Sequence, residues 1–354
     1  MRAVILLLAV AATGTYGRGS CVGQCGVEDG SSGCYCNSVC TSVGDCCYDY
    51  IDVCMSCKDR CGEPHSSSKP CQCNKECPSY GNCCDDYEDQ CEGWGLDAEL
   101  RDLAEKMFAA DVNAVGSQLT LNYQGKGNSG DLAPGPLFTL VPDSVLNGPT
   151  LSLLRKVQDN YEPSVTVTEK QDAAEVAEQN AFLDAITNTK VMHIAEDFLR
   201  NKDLISHGLR QTLEDIWFTL YSRKGGKLGS SGYEHVFIGE LKGGKVSGFH
   251  NWLNFRKEEL EGDLNYMGYM RVVDLNGKGK VIKLRFNWLN KPKPVGSIFV
   301  GTTPELEIAL YTLCFLAKPN ANCPVKLAGK KFSIQTWTSN ISGKTVIGSA
   351  YPNI

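Results

Sequence analysis

His235 and His250 are the residues whose types and spacing best suit proton chemistry. They lie in Glu234-His235-Val236-Phe237 and Ser247-Gly248-Phe249-His250-Asn251-Trp252, with Lys242-Gly243-Gly244-Lys245 between them. A Gly-Gly hairpin at that point brings two strands, and so two imidazoles, into one cleft. Two groups titrating near neutrality are what a paired acid–base step needs. Two satisfied core histidines would show the same spacing. His193 and His207 fall in helical stretches with no partner signal and read as structural. Around the pair, residues 201–300 hold 16 Lys/Arg against 10 Asp/Glu, with Trp252, Tyr266, Tyr269 and Trp288 interleaved. Cations that neutralise phosphates and aromatics that stack on bases suit single-stranded RNA. Charged strand edges and core aromatics give the same composition. The net charge of −6 argues against coating nucleic acid or membrane by bulk charge and leaves room for a local basic site.

The elements that must position these groups read as α+β: a helical N-terminal lobe followed by antiparallel sheets, behind two small disulfide-rich modules. Leu96, Leu100, Leu103 and Met107 recur at helical spacing, and Gly125–Pro149 reads as loop. Gln171–Tyr221 reads as two or three helices with a break at Gly208. From Tyr233 onward β signals dominate, and Tyr233–Lys242 alternates in part. Leu264–Leu275 and Lys280–Trp288 flank Asn276-Gly277, a strong hairpin signal. Thr303-Pro304 opens a helix with Leu306, Leu310 and Leu313 on one face, and Phe332–Trp337 and Thr345–Tyr351 are final strands.

The chain has 354 residues, enough for two or three domains, and 18 cysteines, of which sixteen lie between Cys21 and Cys91. They form two units. The first is Cys21-x3-Cys25-x8-Cys34-x-Cys36-x3-Cys40-x5-Cys46-Cys47-x6-Cys54. The second is Cys57-x3-Cys61-x9-Cys71-x-Cys73-x3-Cys77-x5-Cys83-Cys84-x6-Cys91. Such density is usual in small secreted domains, whose apolar cores need cross-links. Zinc modules, the other reading, favour separated Cys pairs with His, whereas here there are adjacent Cys-Cys pairs and only His65 nearby. Eight cysteines per unit permit 105 pairings, and spacing does not choose among them. Arg2, the apolar stretch Val4–Ala12 and small residues up to Gly17 predict a leader over 1–17 and a secreted, extracellular protein. No later apolar run reaches membrane length, and the sequon Asn340-Ile341-Ser342 agrees with secretion. Composition shifts near Trp94, from a charge balance of −9 over 21–95 to +1 over 96–354. The predicted division is 1–17 leader, 18–55 and 56–94 modules, and 95–354 a large domain.

The cysteine spacing resembles the somatomedin B domain, twice. The resemblance implies Cys21–Cys36, Cys25–Cys54, Cys34–Cys47 and Cys40–Cys46, then Cys57–Cys73, Cys61–Cys91, Cys71–Cys84 and Cys77–Cys83. It also implies a possible protein partner at the stretch Asp49, Tyr50, Asp52, which recurs as Asp86, Tyr87, Asp89; the plainer reading is a solvated acidic face. Cys314 and Cys323 either bridge across a turn or leave a buried thiol.

The large domain resembles the EndoU family of uridylate-specific endoribonucleases. The resemblance rests on Glu234–Phe237, Gly248–Trp252, Lys293-Pro294-Val295-Gly296-Ser297, Gly301–Glu305 and Leu310–Cys314. It implies a catalytic trio of His235, His250 and Lys293, with Lys291 and Lys283 as competing lysines. It implies uracil-positioning groups at Ser297, Ser349 and Tyr351, and acidic positions of unassigned role at Glu234 and Glu240. It further implies activation by a divalent cation, Mn²⁺ or Ca²⁺. No dense carboxylate cluster of a two-metal nuclease is visible, so the ion is expected to organise substrate or structure. In such chemistry the RNA 2′-hydroxyl attacks the phosphate. A base takes its proton, an acid protonates the departing 5′-oxygen, and a fixed cation stabilises the phosphorane. His250 is assigned as base, His235 as acid and Lys293 as cation, and the two histidine roles are exchangeable. The expected partner is single-stranded, U-containing RNA. A noncatalytic extracellular scaffold is the competing reading. A two-zinc phosphodiesterase needs more His than the chain's large domain holds.

Overall fold

The computed structural model describes residues 19–27, 33–91, 96–341 and 343–354. The leader over 1–17, Trp94, the Asp89 side chain and Ser342 of the sequon lie outside the described residues. The chain divides into two compact units, Met1–Glu99 and Leu100–Ile354.

The smaller unit contains two cysteine-built cores. Each module closes four disulfides: Cys21–Cys36, Cys25–Cys54, Cys34–Cys47 and Cys40–Cys46 in the first. Cys57–Cys73, Cys61–Cys91, Cys71–Cys84 and Cys77–Cys83 close the second. These are the pairings that the resemblance implies. The acidic stretch is more than a solvated face. The Asp49 carboxylate accepts from the Ser20 hydroxyl at 2.5 Å and the Cys21 amide at 2.8 Å. Asp86 repeats this with Ser56 at 2.5 Å and the Cys57 amide at 2.7 Å. Each aspartate thus fastens the start of its own module, while Tyr50 is buried beneath and Asp52 stays exposed.

In the larger unit helices come first. Leu96–Ala110, Leu151–Gln158, Ala173–Thr187 and Lys190–Asn201 precede the sheets. Asp172 starts Ala173–Thr187 with a capping box closed by Glu175. Gly208 is the N-cap of the short helix Leu209–Leu213. The expected loop Gly125–Pro149 contains a strand, Phe138–Leu140, paired with Thr120–Leu121, and a helical turn, Asp143–Leu146. Both are too short to leave a periodic trace in sequence.

Two three-stranded antiparallel sheets follow, each in chain order: Leu264–Asp274, Lys280–Trp288 and Lys291–Val300, then Asn322–Leu327, Lys330–Ile341 and Lys344–Asn353. The Asn276-Gly277 turn sets the first hairpin, with Asp274 opposite Lys280 and both Asn276 and Gly277 at positive φ. The helix Pro304–Ala317 joins the sheets in sequence. Thr303 caps it, and every residue from Pro304 to Phe315 is buried, so it is a central helix instead of the one-faced element predicted. Cys314 on this helix bonds Cys323 on the next strand.

No helix among the described residues is long and apolar enough to cross a membrane. Every candidate site residue lies in Leu100–Ile354. A chain starting at residue 93 is therefore expected to keep turnover within about tenfold of the whole protein, roughly 1.4 kcal/mol in barrier. A larger loss in steady-state cleavage would show that the cysteine-rich modules support the site.

Candidate active site

His235 does not lie on a strand. Glu234–Ile238 forms a π-helical turn, and only Glu240–Lys242 is extended, pairing with Lys245–Ser247 around Gly243-Gly244. Tyr233 and Phe237, one turn apart, stack at 5.1 Å, and Tyr233 also stacks on Phe218 at 4.7 Å. This aromatic column rewards the helical turn over the extended form. The hairpin is present, but the two histidines flank it.

What joins them is backbone. The Phe249 amide donates to the His235 carbonyl at 2.8 Å, and the His250 amide donates to the Val236 carbonyl at 2.7 Å. Gly248 makes that approach possible: at φ +68 a Cβ there would lie 1.8 Å from the His235 carbonyl oxygen. Gly248→Ala is expected to lower the melting temperature and remove activity together; a variant of normal stability and turnover would show that the approach is not required.

The two imidazoles are held by different acceptors. His235 Nδ1 pairs with a Glu240 carboxylate oxygen at 2.7 Å, and His250 Nδ1 with the Ser297 carbonyl at 2.8 Å. A carbonyl oxygen only accepts, so His250 Nδ1 carries the proton and Nε2 is left as the basic nitrogen. The ionised Glu240 favours the same tautomer for His235. Burial holds both imidazoles below the ordinary histidine range. For His235 the Glu240 charge works against that fall. For His250 the Lys293 charge adds to it, and the group drops well below the ordinary value. The Tyr351 ring stacks on His250 at 4.9 Å.

Glu240 is itself anchored. Burial pushes its carboxyl up, yet His235, Arg223 and Ser230 together hold it below the usual carboxylate range. Arg223 Nε lies 2.9 Å from the carboxylate and 2.7 Å from Ser230 Oγ, and its Nη2 donates to the Gly348 carbonyl at 2.6 Å. Gly348 sits where the register between Lys330–Ile341 and Lys344–Asn353 shifts, between Ile347 and Ser349. A bulge re-aims the residues beyond it, and Ser349 and Tyr351 line the cleft.

The cleft has a volume of about 460 Å³ and brings together His235, His250, Lys293, Ser297, Ser349 and Tyr351. Burial pushes the Lys293 ammonium down to about 8. Lys291 is exposed at the hairpin end, opposite Trp288, and is absent from the lining. Lys283 does line the cleft, with its ammonium donating to the Ile354 carbonyl at 2.9 Å. Glu234 is not a lining residue. Its two carboxylate oxygens are buried with no hydrogen-bond partner among the described residues, and burial together with the Glu240 charge pushes it up to about 10, so it stays a neutral acid. His193 and His207 are exposed and also lie outside the cleft. Sequence reasoning missed Arg223 and Trp337, the latter a cleft residue that is 49% exposed. Arg223 sits in a stretch that reads as turn, and nothing in its spacing ties it to Glu240.

Among the described residues the carboxylates grouped closely enough for a metal ion are Glu258, Glu261 and Asp263. Lys257 donates to Glu258 at 2.9 Å and Glu261 at 2.8 Å, and the Trp288 indole donates to Glu258 at 2.7 Å. An ammonium already stands where a cation would, so this group does not fit a resident divalent ion. The two cysteine trios of similar spacing are tied up in disulfides.

Known proteins resemble this chain over most of its length. The family described as Endoribonuclease XendoU matches residues 99–352, and the Somatomedin B domain matches 19–56 and 55–93. Uridylate-specific endoribonuclease D of Xenopus laevis is 39% identical over 272 residues, covering 73% of this chain and 89% of the relative. The uridylate-specific endoribonuclease of Homo sapiens is 34% identical over 348 residues, 94% of this chain and 77% of the relative. A solved structure described as XendoU, a splicing independent snoRNA processing endoribonuclease, superposes with a TM-score of 0.62 at 34% identity, covering 73% of this chain and 98% of that one. With the paired histidines in one cleft and this family match over all but the last two residues of the larger unit, the chain belongs to the XendoU endoribonucleases and carries two somatomedin B domains ahead of the nuclease domain.

Proposed function

We propose that the protein cuts single-stranded RNA at uridylates by attack of the 2′-hydroxyl on the adjacent phosphate, leaving a 2′,3′-cyclic phosphate and a free 5′-hydroxyl. The observation that carries this reading is the cleft itself. Two imidazoles, each with Nδ1 tied to an acceptor, share it with Lys293. His250 is the base, because burial and the Lys293 charge keep it unprotonated; its Nε2 takes the 2′-hydroxyl proton. His235 is the acid, because burial lowers it less far than His250, the Glu240 carboxylate offsetting part of the fall; it gives a proton to the departing 5′-oxygen. The bond from the 2′-oxygen to phosphorus forms as the bond to the 5′-oxygen breaks, and no water is consumed. Lys293 balances the charge that gathers on the phosphorane. Ser297, Ser349 and Tyr351 are assigned to uracil, Glu240 and Arg223 to holding His235, and Glu234 to the fold.

A divalent cation, Mn²⁺ or Ca²⁺, belongs to this reading as an aid to RNA binding or folding, and no step passes through it. The leader predicts secretion, and the somatomedin B domains are assigned to a protein partner. Labelled oligo-U, oligo-A and oligo-C incubated with the purified protein test the proposal. Cleavage of oligo-U alone, with cyclic phosphate ends, is the expected result. Binding without cleavage, or products ending in a 3′-hydroxyl, would replace it with the scaffold reading or a hydrolytic one.

A further inference from the structure

A second groove, of about 600 Å³, runs between the helices Leu151–Gln158 and Trp252–Glu261 and shares no lining residue with the catalytic cleft. Ser152, Arg155 and Lys156 face it from the first helix, and Arg256 and Lys257 from the second. Each helix thus brings two neighbouring basic side chains to the groove wall, with Ser152 one turn before Arg155 and Lys156 on the first. Lys257 is satisfied by Glu258 and Glu261. Arg155, Lys156 and Arg256 have no ion pair or hydrogen bond among the described residues. Burial and the Arg155 charge both hold the Arg256 guanidinium below its ordinary range, with Asp143 the weaker opposing charge. Asp159 and Glu261 are the acids of the lining, and Glu261 is taken by Lys257.

We propose that this groove holds the phosphodiester backbone of the substrate RNA beyond the nucleotides seated in the cleft. The inference rests on the endoribonuclease reading given above. The Arg155 and Arg256 guanidinium groups repel each other more than Asp143 offsets, and neither holds an ion pair among the described residues; a phosphate bound by both removes the repulsion and matches their planar donor forks. The groove is also linked to the catalytic site. The helix carrying Arg256 starts at Trp252, directly after His250 and its N-cap Asn251. Arg256 lies about 6 Å along the axis from Trp252. Gln158, which lines the groove, donates to Asn251 at 3.0 Å. The lining contains no aromatic side chain, unlike the cleft with its Tyr351 and Trp337. It therefore grips backbone and reads no base, and it adds affinity with length irrespective of flanking sequence.

The test compares kcat/KM for an RNA of about 20 nucleotides with that for one of about four, each with a single uridine, across a salt series. In the double variant Arg155→Ala/Arg256→Ala the long-to-short ratio is expected to fall about tenfold. The salt slope for the long RNA should shrink by roughly 1.4, near 0.7 for each phosphate that is no longer neutralised. Arg155→Gln/Arg256→Gln keeps more of the side-chain stem and serves if the alanine pair folds poorly. Lys190→Ala removes an exposed cation from another helix and controls for bulk charge. An unchanged ratio and slope, with the wild type cutting both substrates, overturns the groove and leaves the catalytic reading intact. Loss of heparin binding with unchanged long-RNA cleavage overturns it too, in favour of another polyanion. If the wild type cuts neither RNA, the catalytic reading fails, and anisotropy with the uncut long RNA and the same variants still decides the groove.

Discussion

An RNA with 2′-deoxyuridine at the cleaved position is expected to stay intact, and His250→Ala and His235→Ala are each expected to lose on the order of 10²–10⁴ in rate. The first result follows because the nucleophile belongs to the substrate. The second follows because an unassisted hydroxyl and an unprotonated 5′-oxygen are both poor at their tasks near neutrality. The two losses have different remedies. A uridine 3′-phosphate ester with a stable phenolate leaving group needs no acid, so it should recover most of the His235→Ala loss and none of the His250→Ala loss. The reverse pattern would exchange the two roles. His193→Ala, an exposed helix position outside the cleft, should leave turnover near normal. Normal cutting of the deoxy substrate would end the transesterification reading whichever residues matter.

Lys293→Ala is expected to lose about 10²–10³ in kcat, by analogy with the removal of other preorganised charge stabilisers. Its titration gives a sharper signature. Only the ammonium form stabilises the phosphorane, and burial brings that group down to about 8. As pH rises, kcat/KM first falls as His235 loses its proton, below the ordinary histidine range. Above about 8 it should fall more steeply, because Lys293 is then also losing its proton. Arg stays charged throughout, so Lys293→Arg should remove the second bend and leave the first. Lys291→Ala is the control. If that change abolishes cleavage while Lys293→Ala does not, the lysine assignment is off by two positions.

The cysteine ladder, the Asn276-Gly277 hairpin and the Thr303-Pro304 helix start were legible because each depends on a few neighbouring residues. A turn that needs positive φ, or a cap that needs a side-chain oxygen, announces itself locally. So did His235, His250 and Ser297, through short motifs. Secondary structure at His235 was not legible. Tyr233–Lys242 alternates in part and reads toward a strand, whereas in the fold the stack of Phe218, Tyr233 and Phe237 accompanies a helical turn at Glu234–Ile238. Helix Trp252–Glu261 was also missed. Residues from all round its start are buried, which removes the one-sided periodicity a surface helix shows.

The choice between Lys291 and Lys293 shows the limit most clearly. Two residues apart on one strand, they share a face, so alternation cannot separate them. Their place along the hairpin does, with Lys291 beside the turn, opposite Trp288, and Lys293 within the cleft. The Arg223–Glu240–His235 chain likewise exists only after folding, since its charge pairing joins a turn, a strand and a π-helical turn. By itself the sequence determined the cysteine-built modules, the endoribonuclease family and the two histidines that share the cleft, because covalent spacing and local motifs carry those. Tertiary structure alone decided which lysine enters the cleft, which carboxylate holds an imidazole and which stays neutral. Those outcomes depend on burial and on charges brought close from distant positions, and neither quantity is defined until the chain has folded.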